Sequence, residues 1–145
     1  MKLVVKKNSL KKISEKPTGV VFVEHNGVAF PEDNWNDFAI SLVTAWADCI
    51  VEVRKKNLSM ASVSFMDGPF KVVIEKNGDD NWCARFEEIT RKGPGVENEF
   101  EFDLSDFSTS ISDALESCIE FCNSSTWGAE FVEALKYAKS VLVNS

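Results

Sequence analysis

The chain has one histidine, one tyrosine and four cysteines, none of which form a CxxC pair. Each scarcity removes a class of chemistry. His25 stands alone in "VEHNGV", so no Cys-His or Ser-His pair is available to activate a nucleophile. Glu24, its neighbour, faces the opposite side of an extended chain and cannot orient it. Cys118 and Cys122 share one helix face, but a zinc site needs two more ligands. Cys49 and Cys83 lie in apolar stretches, so reduced, buried thiols are expected and no metal site. The seven glycines are dispersed, and none builds GxGxxG or GxxxxGK[ST], the backbone cradles for phosphate. No run approaches the roughly 20 apolar residues of a membrane span. The opening "MKLVVKKNSLKK" is broken by Lys6 and Lys7, which leaves no signal-peptide core and points to the cytoplasm.

What remains is an ordinary globular composition, 44% hydrophobic and 27% charged, with eleven Phe and four Trp. The 145 residues suit a single domain, 1–145, burying roughly 70% of its unfolded surface. Charge is uneven. The net is −7, yet residues 1–16 hold six Lys against one Glu. The rest of the chain is strongly acidic and should repel polyanions while attracting basic partners.

Alternation and turn residues set the expected elements. Short strands are expected at "KLVVKK", "SLKKIS", "GVVFVEH" and "GVAF", with Asn26-Gly27 as a tight hairpin turn. "PEDN" reads as a helix start, capped by Asp33 or Asn34. The helix then runs about six turns to Lys56, burying Trp35, Phe38, Leu42, Trp46 and Ile50 and exposing Asp37, Asp48 and Glu52. A four-stranded meander follows: "LSMASVSFM", "PFKVVIEK", "NWCARFEEITRK" and "GVENEFEFDL". Pro69 in "MDGPF" lacks the donor that closes a two-residue hairpin, so a longer connection is expected there. Gly93-Pro94-Gly95 reads as the last turn. Two amphipathic stripes, Ile111 to Cys122 and Trp127 to Leu142, form an αα-hairpin, with Ser105, Ser108 or Ser110 as cap. The fold class is therefore α+β: an antiparallel bent sheet of N-terminal strands and a four-stranded meander, packed on a long central helix and a C-terminal helical hairpin.

The fourth meander strand carries the main functional signal. Glu97, Glu99, Glu101 and Asp103 alternate with Val96, Asn98, Phe100 and Phe102, which lines up carboxylates on one face. Neighbours on that face sit about 6–7 Å apart, and each pair repels by about 0.6 kcal/mol in water before screening. Cross-strand partners offset this, or the acids serve a purpose. One is resistance to edge-to-edge aggregation. Another is docking of a cationic protein, with Glu87, Asp106 and Asp113 enlarging the patch. Metal catalysis on Glu97, Glu99 and Glu101 would need Asp67, Glu75 and Lys76 to converge, and Glu75 and Lys76 face opposite ways. Single-stranded nucleic acid on the Lys-rich N-terminal segment is the alternative partner.

Two stretches add a family likeness. "FPEDNWNDFAISLVTAW" and "SFMDGPF" together resemble small bacterial proteins regarded as immunity proteins of polymorphic toxin and contact-dependent growth inhibition systems. The last helix, "STWGAEFVEALKYAKSVL", is similar to that of some members. The resemblance implies a non-enzymatic, cofactor-free toxin inhibitor of the cytoplasm. It binds the C-terminal domain of a cognate toxin, often a basic nuclease, as a monomer and 1:1. For some members it also implies a Whirly-like sheet-and-helix fold. It carries over no contact residues, because such families share none.

Overall fold

A computed structural model describes all 145 residues. The chain is α+β, with two antiparallel sheets and three helices. In the first sheet β1 (Lys2–Val5) and β3 (Val28–Phe30) pair with β2 (Gly19–His25), and the short β4 (Asn36–Asp37) pairs with the start of β2. The second is a meander in the order β5 (Met60–Ser64), β6 (Phe70–Lys76), β7 (Asn81–Thr90), β8 (Gly93–Asp103). The helices are α1 (Ala39–Lys56), α2 (Leu104–Ser124) and α3 (Ala129–Val143). No helix is long and apolar enough to cross a membrane.

Local chemistry accounts for most boundaries. Asn26 and Gly27 both take positive φ, as a tight hairpin turn demands. α1 ends on Asn57 in the left-handed region, with Arg54, Lys55 and Lys56 against the negative end of its dipole. α2 and α3 bury the expected stripes, including Ile111, Leu115, Cys118, Leu135 and Leu142. The buried side chains of both sheets and all three helices form one contiguous cluster.

Several expectations are corrected. "SLKKIS" is no strand: Lys7–Ser9 is a 3-10 turn, and only Lys11 bridges to Thr18. The turn between β7 and β8 falls at Arg91-Lys92, which leaves Gly93-Pro94-Gly95 inside β8. Asp103, not a serine, caps α2 by accepting from the Asp106 N–H at 2.9 Å.

The largest correction concerns Asp37. "PEDN" does not start a helix; the chain first makes β4, and α1 begins at Ala39. Asp37 is therefore not on an exposed helix stripe but 2% exposed. One carboxylate oxygen accepts from the Phe38 N–H at 2.7 Å. The other accepts from Trp35 Nε1 at 3.0 Å and from the Met66 and Asp67 N–H groups at 3.0 and 3.2 Å. Met66 and Asp67 belong to the five-residue link, 65–69, between β5 and β6, the longer connection that Pro69 implied. One buried acid thus ties the first sheet to a loop of the second.

Aromatic rings continue the junction. Phe30 stacks on Phe86 at 4.6 Å and meets Phe65 and Phe70 edge-on. Trp35 packs edge-on against the same two rings. Gly68 (φ +111°) closes the loop, and a Cβ there would press on Trp35 and Phe70 at 3.1–3.2 Å. "FPEDNWNDFAISLVTAW" and "SFMDGPF" thus pack against each other.

Replacing Asp37 with Ala removes the acceptor of four donors at a part-buried site. Urea denaturation should show a loss of about 3–5 kcal/mol. Asp37→Asn, which keeps one acceptor, should lose less. A loss below about 1 kcal/mol for the Ala variant would show that the carboxylate is not the clamp.

Candidate acidic interface on the second sheet

The meander has two faces. Val63, Val72, Ile74, Trp82, Ala84, Phe86 and Phe102 turn to the core. Pairing sets Glu75 beside Cys83, Lys71 beside Glu87, Cys83 beside Glu101 and Arg85 beside Glu99 on the other face. That outer face sorts its acids into two groups.

Glu75 and Glu87 are neutralised. Arg85 donates to Glu75 at 3.0 Å and to Glu87 at 3.2 Å, and Lys71 approaches Glu87 at 3.7 Å. Glu87 is 5% exposed, so it drops out of the patch in which the sequence placed it. A carboxylate this buried needs cationic partners, and Arg85 has turned from Glu99 to supply one.

Glu99 and Glu101 have no cation. Both are exposed on β8, and neither takes part in an ion pair. Their only side-chain hydrogen bonds come from neutral groups: Cys83 Sγ to Glu99 at 3.5 Å and Asn77 Nδ2 to Glu101 at 2.9 Å. Cys83 is thus a half-exposed neighbour of carboxylates rather than a buried thiol. Its pKa is raised, by desolvation first and then by the bond to Glu99 and that group's charge.

The row of four acids is interrupted. A β-bulge shifts the register, so that Phe86 faces Asn98 but Glu87 faces Val96. Glu97 is the extra residue. The bulge turns it off the line of Glu99 and Glu101 and brings it near the charge of Glu88. Val96 takes its place on the outer face, 52% exposed. Alternation alone does not reveal a bulge; Gly95 just before it was the available signal. Asp103 and Asp106 are exposed at the start of α2, next in sequence to the β8 acids. Asp113 lines a cleft with Lys2 and Leu3, beside β1 rather than β8.

Elsewhere the chain assembles little chemistry. The largest cleft, about 520 Å³, is lined by Arg54, Lys55, Ser140 and Asn144 and contains no acid, His or Cys. No three His, Cys, Asp or Glu side chains converge as a metal-binding group. Burial pushes the Cys49 and Cys118 thiols up to about 11 and about 12, which keeps them protonated. His25 is no free turn residue: its ring stacks on Phe100 at 3.8 Å. Desolvation, with the N-terminal ammonium, lowers its pKa, so it is neutral at physiological pH.

Glu97 yields a pH prediction. Desolvation raises its pKa, followed by the charge of Glu88. The native state therefore holds more protons than the unfolded chain between the ordinary carboxylate value and the raised one. Stability falls as pH rises through that window. Glu97→Gln should be more stable than the parent at neutral pH, and the gain should vanish below the ordinary carboxylate range. Thermal melts from pH 3 to 8 check this; an equal gain at every pH would refute the linkage.

Comparison with family models, with curated proteins and with solved structures gives no match for this chain.

Proposed function

We propose that this chain is a non-enzymatic immunity protein that neutralises a cognate toxin domain of basic character by binding it in the cytoplasm. The observation that carries the reading is the pair of exposed, cation-free carboxylates, Glu99 and Glu101, on the edge strand of a rigid sheet. Nearby cations neutralise Glu75 and Glu87 and leave this pair open. Unopposed carboxylates steer a cationic partner and speed its encounter. Asp103 and Asp106 extend the acidic border. The toxin's phosphate-binding residues are the natural counterpart, reached either directly or from an adjacent surface.

The nucleic-acid reading has less support. Lys7 and Lys12 of the basic segment are held by Glu120 and Glu130 at 2.9 and 3.0 Å. Lys6 donates to Asn34. Lys7 and Lys12 thus brace α2 and α3, and Lys6 the turn before β4. Salt-sensitive, submicromolar binding of single-stranded DNA or RNA, lost on deleting residues 1–16, would reverse the preference.

The direct test measures association with the cognate toxin domain. Charge reversal in the double variant Glu99→Lys, Glu101→Lys should slow its association at low salt by about tenfold or more. It should also flatten the salt dependence. An unchanged rate with unchanged salt dependence would reduce the two acids to solvated surface.

A further inference from the structure

β8 is the free edge of the meander. It pairs only with β7, and no backbone hydrogen bond reaches it from any other strand. The Leu104 N–H donates to the Asp80 carbonyl at 2.9 Å, continuing the register in which Asn81 faces Asp103. Backbone groups in an antiparallel ladder alternate in direction. The N–H groups of Leu104, Phe102, Phe100 and Asn98 therefore point at β7. Those of Asp103, Glu101 and Glu99 point out over the open edge. The residues with cation-free carboxylates are thus the residues with free backbone donors and acceptors.

We propose that the toxin adds a basic β-strand to this edge, pairing with Glu99 and Glu101 of β8. This rests on the toxin-binding reading above. A strand laid antiparallel here exchanges both backbone hydrogen bonds with Glu99 and with Glu101, and its directly opposed residues lie about 5.5 Å away at Cα. Lys or Arg at those alternate positions meets the two carboxylates on the outer face. The intervening residues pass Asn98 and Phe100 on the inner face. The bulge at Glu97 and Pro94, which has no N–H, spoil the edge upstream, and α2 begins at Leu104. The usable edge is 98–103, close to the usual strand length of about 5–6 residues. A second copy of the chain is a poor occupant, because antiparallel pairing would set glutamates against glutamates.

The probe is a blocked heptapeptide, Thr-Lys-Val-Lys-Val-Lys-Thr, titrated into the labelled full chain with amide-resolved NMR. A control peptide is N-methylated at its three Lys amides; it keeps the charge and loses the donors. Shifts should gather at Asn98 to Asp103, and the control should bind about tenfold more weakly. On the protein, Glu101→Gln removes the charge alone, whereas Glu101→Pro also removes the outward N–H without touching the β7 ladder. The Pro variant should bind about tenfold more weakly than the Gln variant.

Absence of binding, or equal binding by both peptides, overturns strand addition; so does equal binding by the Pro and Gln variants where both are folded. If both peptides bind equally and the double charge reversal weakens both, the acidic-face reading survives alone. If the double reversal binds the peptide as well as the parent, both fall.

Discussion

The structure depends on one buried carboxylate. Asp37 joins β4 of the first sheet to the loop between β5 and β6 by taking two backbone N–H groups from that loop. Those groups belong to a connection that makes no ladder there, and buried N–H groups without acceptors are costly. A side chain from the other sheet supplies the acceptor. The arrangement also fixes Trp35, whose indole donates to the same oxygen and whose ring then meets Phe65 and Phe70. Phe30 carries the contact on to Phe86, and Phe86 to Phe100. The orientation of the meander against the first sheet, and so the exposure of β8, follows from this junction.

The same junction gives two stretches of the sequence a physical meaning. "NWND" and "FMDGPF" lie about thirty residues apart in sequence and touch through one acid and a knot of rings. Trp, Asp and Gly are needed there for packing, for acceptor capacity and for the positive φ at Gly68. Those residue types report how the chain folds and are silent on β8, whose outer residues face water.

The legible parts of the fold were those governed by a single local rule. Period-two alternation located β5, β6 and β7, turn residues bounded β2, the 3.6-residue stripe located all three helices, and Asn26-Gly27 located its hairpin. The hidden parts needed a second element in view. Asp37 has the spacing of an exposed helical acid, and only the loop at 65–69 shows what it accepts. Glu87 reads as a surface glutamate until Arg85 and Lys71 close on it across the sheet. Glu97 falls on the acidic side by counting, and a bulge reverses the count. In the candidate interface, Glu99 and Glu101 were correctly placed as exposed acids of one strand. Their lack of cations was not legible, because Arg85 lies opposite Glu99 and a pairwise reading assigns it there.

That choice by Arg85 shapes the outer face. Glu87 lies inside the sheet, flanked by β6 and β8, and an ionised group so buried needs a cation more than an edge carboxylate does. Glu99 and Glu101 are exposed and keep their solvation without one. The burial gradient across the meander therefore drives positive charge inward and leaves the rim negative. Lys7 and Lys12 do not correct this, since they are held at Glu120 and Glu130 on α2 and α3. A negative rim on an open edge also has a defensive use, because it repels the edges of identical copies that would otherwise stack into aggregates. Self-avoidance and attraction to a cationic strand need the same charge on the same residues, so selection for either one favours the arrangement that serves both.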